Sequence, residues 1–351
     1  MKNRKREICT SGSVRDEDGQ PPHLLGRRQF LHLAASAAAL PAVSRFAWAQ
    51  AYPTRPITMI VPFPAGGPLD TIARITAEGM RGSLGQAIII ENVSGAGGTI
   101  GVGRVARAAG DGYTLCVGFV GTHVINGATY ALQYDLLKDF EPISLIAGSS
   151  WLIVAKKTLP ARELTGLIDW LKANPDKASQ GTVGAGSPHH VAGVFFQKET
   201  GTRFQFVPYR GAAPAVQALV AGQIDLIMDS PAITMPQVRA GTIKAYAVAA
   251  KSRLAIAPDI PTVDESGLPG FYVSGWNALW APRGTPKDII AKLNSSVVNG
   301  LADRTVRSRL ADLGMEVFPR EQQTPEALQA HQKAEIEKWW PIIKAAGIKA
   351  E

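Results

Sequence analysis

Apolar positions along the chain follow two alternating rhythms. Short runs rich in β-branched residues have strand character, as at 57–63 (ITMIVPF), 86–91 (QAIIIE) and 113–119. After the first of these comes the turn Pro64-Ala65-Gly66-Gly67-Pro68, and then Leu69, Ile72, Ala73 and Ile75 fall on one helical face. A second helix is predicted over 99–109, and 140–155 carries further strand-like runs. The middle of the chain repeats the pattern. Helix 164–173 stops before Asn174-Pro175, strand 182–184 leads into Ala185-Gly186-Ser187-Pro188, and a helix then runs through Lys198. Strand 204–208, helix 213–221, strand 224–228 and strand 244–249 follow. The last segment holds a strand at 278–281 and two helices, 286–313 and 325–346. Alternation of this kind predicts an α/β fold whose parallel sheets are covered on both faces.

Length and composition narrow the class. A chain of 351 residues has room for about two ordinary domains. Its 46% hydrophobic and 19% charged residues belong to a folded globular protein, too apolar for a disordered one. Beyond residue 50 no uncharged apolar stretch reaches the ~18 residues of a membrane span. The two cysteines, Cys9 and Cys116, exclude a disulfide framework and a cysteine-built zinc site. The net charge of +8 is partly an N-terminal effect: residues 1–49 hold eight basic and four acidic side chains, leaving 29 and 25 in the remainder. That mild excess, without a Lys/Arg run, argues against a nucleic-acid partner.

Residues 1–49 read as an export signal of the twin-arginine type. Arg27-Arg28 precedes Gln29-Phe30-Leu31, an Ala-rich apolar stretch covers 31–43, and Ala47-Trp48-Ala49 supplies a small-residue cleavage pattern before Gln50. Charge, apolar run and cleavage site occur in the order that a signal requires. Export places the protein in the periplasm, leaves Cys116 without a thiol partner, and disfavours cytosolic cofactors. No cofactor is expected.

In open α/β sheets, ligands bind beyond the carboxyl ends of strands, where helix N-termini point. Four turns there carry suggestive residues: 64–70, 121–126, 184–190 and 209–214. Their amides and positive dipole ends suit an anion. One Gly-rich turn alone is ordinary turn geometry; four in two α/β halves point to a site. Asp70 has two readings, a dipole-favoured acid in the first turn of its helix or a group that contacts ligand or orients loop amides. His123 and His189 are either polar groups at helix starts or ligand contacts. Asp229 ends a strand, and Arg210 is a carboxylate clamp or a solvated charge. Catalytic templates fail. Ser187 lacks the flanking glycines of a G-x-S-x-G elbow, and Gly95–Ile100 breaks the dinucleotide fingerprint at its last position. Neither a Walker A sequence nor H-E-x-x-H is present, and adjacent His189-His190 is a weak metal signal.

Seven motifs in order carry a family resemblance. They are Val61-Pro62-Phe63-Pro64-Ala65-Gly66-Gly67-Pro68-Leu69-Asp70, Ser94-Gly95-Ala96-Gly97-Gly98-Thr99-Ile100-Gly101, Asp111-Gly112-Tyr113-Thr114-Leu115, Tyr134-Asp135-Leu136-Leu137-Lys138-Asp139-Phe140, Pro208-Tyr209-Arg210-Gly211, Asp259-Ile260-Pro261-Thr262 and Ala281-Pro282-Arg283-Gly284-Thr285-Pro286. Together they resemble the tripartite tricarboxylate transporter receptor family, the Bug-type extracytoplasmic solute receptors. The resemblance implies a type II periplasmic-binding-protein fold, two lobes with mainly parallel sheets joined by two crossover segments. Lobe 1 would comprise 52–152 and 275–351, and lobe 2 153–274. It implies a non-enzymatic, monomeric receptor that closes over a small carboxylate and delivers it to integral-membrane permease subunits. Carried onto this chain, Ala65, Gly66, Gly67 and Asp70 form the first-lobe loop, and Thr122 and His123 add to its wall. Ser187, His189, Tyr209 and Asp229 would come from the second lobe. Two other functions remain open on the sequence: an orphan metabolite-sensing receptor for a signalling partner, and an exported hydrolase that uses Ser187.

Overall fold

The structure is a computed structural model and describes residues 52–350. The arginine pair, Cys9 and the small-residue cleavage pattern lie outside the described residues. Two mixed sheets organise the rest. The first comprises β1 (Ile57–Val61), β2 (Ile88–Asn92), β3 (Thr114–Phe119), β4 (Phe140–Ser150), β10 (Ser274–Pro282) and β11 (Glu316–Val317), in the order β11-β4-β10-β3-β1-β2. The second comprises β5 (Leu152–Lys156), β6 (Ser179–Thr182), β7 (Gln205–Pro208), β8 (Leu226–Asp229) and β9 (Ile243–Val248), in the order β7-β6-β8-β5-β9.

The helices are α1 (Pro68–Leu84), α2 (Thr99–Ala106), α3 (Asn126–Thr129), α4 (Leu164–Ala173), α5 (Pro188–Thr200), α6 (Ala212–Val220), α7 (Pro231–Arg239), α8 (Lys287–Ala302), α9 (Arg304–Asp312) and α10 (Pro325–Ala345). None of them is long and apolar enough to cross a membrane. Helix α1 shows how local sequence sets these limits. Pro68 occupies the first turn, where its missing N–H costs nothing, and Gly85 closes the helix in the left-handed conformation at φ 66°. Leu69, Ile72, Ala73, Ile75, Met80 and Leu84 bury its inner face.

The two-lobed α/β architecture stands, with four differences from the sequence reading. The sheets are mixed instead of mainly parallel. β1 runs parallel to β2 and β3, but β10 is antiparallel to β3 and β4, and β5 is antiparallel to β8 and β9. Strand polarity depends on long-range pairing and leaves little mark on local periodicity. Strand 182–184 lies earlier, at Ser179–Thr182, a polar segment whose Gln180 Nε2 donates to the His189 carbonyl at 3.0 Å. The expected helix 286–313 breaks at Asp303. That residue is extended, and its Oδ1 accepts from the amides of Thr305 (2.8 Å) and Val306 (3.0 Å), capping α9 as a new helix. Helix α7 has no counterpart in the sequence reading, which passes from the strand at 224–228 to that at 244–249; Pro231 is its first-turn proline and Pro236 lies inside it.

The chain passes from the first sheet to the second at Trp151 and returns at Val273–Ser274. The two crossings are tied together. Trp151 N donates to Val273 O (3.0 Å), Ala249 N to Trp151 O (2.8 Å) and Val273 N to Ala249 O (3.0 Å). Helix α10 braces this junction. Its Glu335 Oε2 accepts from Trp276 Nε1 (3.3 Å) and Trp339 Nε1 (3.0 Å), and Lys338 donates to the Tyr272 carbonyl. Trp339 also meets Phe195 of α5 edge to face, ring centroids 5.4 Å apart.

Helices α1 and α8 approach closely enough for backbones to touch. A Cβ on Gly300 would lie 2.7 Å from the carbonyl carbon and 2.9 Å from the oxygen of Gly79. Helix propensity favours Gly300→Ala by about 1 kcal/mol. The obstacle is backbone in a packed interface, however, and overpacking costs about 1–3 kcal/mol. Gly300→Ala is therefore expected to lower the unfolding free energy in urea, whereas Gly82→Ala, on the same α1 with open space around its Cβ position, should not.

Candidate functional site

Strand polarity brings the turns of interest together. The turns after β1, β2 and β3 leave the first sheet at one edge, since these strands are parallel. Antiparallel β10 starts at that same edge, with Asn277 paired to Phe119 at the end of β3. In the second sheet, β6 runs parallel to β7 and β8, and Leu152, the first residue of β5, pairs with Asp229, the last of β8. Both carboxyl edges therefore flank the crossover, and all four candidate turns lie along them.

The first turn, 62–67, leads into α1. Gly66 needs its freedom at φ 79°. Gly67 is the N-cap residue, with no side chain to occupy the helix amides. Pro64, Ala65 and Gly66 are exposed, while Asp70 below them is 2% exposed. The Asp70 carboxylate is fully engaged: Oδ2 accepts from Gly66 N (2.9 Å) and Arg74 Nε (2.9 Å), and Oδ1 from Asn92 Nδ2 (3.0 Å). Asn92 also donates to Phe63 O at 3.0 Å. Of the two readings of Asp70, the geometry supports the one in which it orients the loop. Arg74 and Asn92 complete that scaffold, and local periodicity gave no sign of them. The Arg74 hydrogen bond, followed by those from Gly66 and Asn92, outweighs burial and holds the carboxyl at about 2.

Thr122 and His123 sit in the helical turn after β3, and here the expectation of a ligand wall requires correction. Both are fully buried. The Thr122 hydroxyl bonds within its own turn, to Phe119 N and O at 3.1 Å, and lies 2.9 Å from His123 Nδ1. The His123 ring stacks on Trp280, centroids 3.7 Å apart and planes 6° from parallel, with Phe140 at its edge. Burial lowers its pKa to about 3, so the imidazole is a neutral part of the core.

In the second sheet, Ser187 Oγ caps α5 by accepting from His190 N at 3.3 Å, and His190 Nδ1 accepts from Gly186 N at 3.2 Å. Serine and histidine thus each serve the turn and form no nucleophile–base pair. Tyr209 is half-buried, anchored by its amide to Thr182 O at 2.8 Å, and Arg210 beside it is exposed. Asp229 accepts from Ser230 N at 2.6 Å through Oδ1, and its Oδ2 lies 3.1 Å from His189 Nε2, out of line for a hydrogen bond. The His189 ring rests against Trp151, centroids 4.7 Å apart. Trp151 was not foreseen as part of this region; its place at the crossover is a tertiary fact. Among the described residues no group of three His, Cys, Asp or Glu side chains is placed to hold a metal. Cys116 is a buried thiol whose pKa burial raises.

The depressed pKa of Asp70 sets a pH window. Its folded value of about 2 lies below the ordinary 3.8, so ionisation stabilises the fold above pH ~4 and the contribution fades as pH falls through about 2. With Arg74 half-exposed and screened, the effect is about 1–2 kcal/mol. Asp70→Asn should lose that much in urea denaturation at pH 7, and the gap to the unsubstituted protein should shrink below pH 4. A gap independent of pH would show that charge is not what holds the loop.

Relatives share this architecture. The family model described as tripartite tricarboxylate transporter family receptor matches residues 72–348. Among solved structures, MatC from Rhodopseudomonas palustris with bound malate is 41% identical, covers 83% of this chain and 100% of its own, and superposes with a TM-score of 0.72. The periplasmic binding protein BugD is 40% identical, with coverage of 86% and 100% and a TM-score of 0.72. The R. palustris protein Rpa4515 with adipate is 34% identical, with coverage of 85% and 99% and a TM-score of 0.73. With its two mixed sheets, its paired crossovers and its glycine turn before α1, this chain belongs to the tripartite tricarboxylate transporter receptor family, among the Bug-type solute-binding receptors.

Proposed function

We propose that the protein is a periplasmic, monomeric solute-binding receptor that captures a small carboxylate between two lobes and delivers it to tripartite tricarboxylate-type permease subunits. Lobe 1 is taken as 52–152 with 275–351 and lobe 2 as 153–274, bounds that differ by one residue from the starts of β5 at Leu152 and β10 at Ser274. The observation that carries the reading is the Gly66-Gly67 turn. It leads into the N-terminus of a 17-residue helix that has no side-chain cap, and the Asp70 carboxylate that accepts from the Gly66 amide is itself neutralised by Arg74. Two relatives have malate and adipate bound in their structures, which supports a carboxylate as ligand here. Ala65, Gly66 and Gly67 receive the ligand carboxylate in this reading, Asp70 positions them, and Ser187, His189, Tyr209 and Asp229 face it from the second lobe. The twin-arginine pattern of the first 49 residues provides the route to the periplasm.

The mechanism is a two-state hinge. A ligand that touches both lobes favours the closed arrangement by its differential affinity for it, and the closed form docks on the permease. No bond is made or broken.

A thermal-shift screen against aliphatic, amino and aromatic carboxylates tests this. A ligand at 100 times its Kd adds about 2.7 kcal/mol of stability, a readily measured rise in Tm. The expected result is a raised midpoint for some members with no consumption of the compound. Turnover abolished by Ser187→Ala would replace the receptor with a hydrolase, and a flat screen would remove carboxylates as its ligands.

A further inference from the structure

Two buried polar side chains at the carboxyl edge of the second sheet lack the partners that burial demands. Asp229 is 4% exposed and His189 is 9% exposed. Asp229 Oδ1 is satisfied by Ser230 N, but Oδ2 has no hydrogen bond, and neither does His189 at Nδ1 or Nε2. The 3.1 Å approach of Nε2 to Oδ2 is an ion-pair distance without hydrogen-bond alignment. Buried polar groups are paired in almost all native structures, and leaving one unpaired costs free energy. Both groups lie beside the crossover, Asp229 opposite Leu152 and His189 against Trp151.

Building on the carboxylate-receptor reading, we infer that the Asp229–His189 pair selects the far end of the ligand. It favours an acid whose far end carries a hydrogen-bond donor, a hydroxyl or an ammonium, over one that ends in a second carboxylate. The free Oδ2 is an acceptor only. The imidazole can donate through one nitrogen and accept through the other, so the pair can hold a hydroxyl by both its proton and its oxygen. A second carboxylate would meet the Oδ2 oxygen, with only the imidazole already 3.1 Å from it to offset the repulsion. His189 is the sole ion-pair partner of Asp229 among the described residues, Arg74 is engaged by Asp70, and Arg210 is exposed. Like charges placed together without such an offset discriminate strongly between ligands.

Isothermal titration with probes matched in length tests the inference: succinate against 4-hydroxybutyrate and 4-aminobutyrate, and adipate against 6-hydroxyhexanoate and 6-aminohexanoate. In the unsubstituted protein at least one donor-ended acid should bind about tenfold more tightly than the diacid of its length. Asp229→Asn should narrow that ratio to about threefold or reverse it, with the melting curve confirming a folded protein. Diacids that bind as tightly as the donor-ended acids, or an Asp229→Asn protein that loses affinity for all probes alike, would overturn it. If Asp229→Asn does not fold, the ranking in the unsubstituted protein decides by itself. Failure of every probe to bind a folded protein would instead overturn the carboxylate-receptor reading, and this inference with it.

Discussion

Three hydrogen bonds among Trp151, Ala249 and Val273 hold the crossover, and the rest of the site depends on them. They fix β4 and β10, which belong to the first sheet, against β5 and β9, which belong to the second. Because β10 and β5 each run against the parallel strands of their own sheet, this one junction sets both carboxyl edges beside each other. Turns far apart in sequence, after β1 and after β8, thereby leave the sheets at the edges that flank the crossover. A junction made of backbone hydrogen bonds suits a hinge. It keeps its pairing while small dihedral changes accumulate on either side.

The electrostatic preparation of the two edges differs. At the first, an acid is buried in order to make a turn rigid. Asp70 accepts three hydrogen bonds, one from the Gly66 amide, and Arg74 neutralises it. What remains uncompensated is the N-terminus of α1, whose aligned peptide dipoles amount to roughly half a positive charge. At the second edge, α6 and α7 also begin without a side-chain cap, at Gly211 and Ser230. There, however, Asp229 keeps an unpaired oxygen. In the proposed reading, one end of the region suits an anion and the other a donor. That polarity would orient an elongated ligand.

Much of this was legible in the sequence. The order of strand, glycine turn and helix placed the four turns, and the order of the seven motifs identified the family. Gly66 lies in the expected turn before α1 and Asp70 in the first turn of that helix. What sequence could not supply was anything set by tertiary partners. His123 follows a strand and looks like a wall of the site, yet Trp280, distant along the chain, takes its ring into the core. The polarity of β10 is invisible to a window of ten residues. Helix α7, with two prolines, has no counterpart in the sequence reading, and Asp303 interrupts a run whose apolar spacing continues on both sides. The unsatisfied state of Asp229 and His189 is likewise a statement about three-dimensional neighbours, of which spacing carries no trace.

Two glycines define how near the edges come. A Cβ on Gly314, after α9, would lie 2.9 Å from the Cβ and the amide nitrogen of Ala232 in α7. A Cβ on Gly186, in the turn before α5, would lie 3.3 Å from Ala350 and 3.4 Å from Thr129. Each pair joins an element of one sheet's half to an element of the other's, and both glycines adopt positive φ, 66° and 70°. These two contacts bury little apolar area, whereas Phe195 of α5 packs edge to face on Trp339 of α10 within a buried cluster that draws on both halves. A motion that keeps the crossover and the Phe195–Trp339 packing and parts only the glycine contacts needs no more than a few kcal/mol of differential binding. Close approach built from glycine at these two points therefore suits such a motion better than interlocked side chains would there, since those would resist parting in every state.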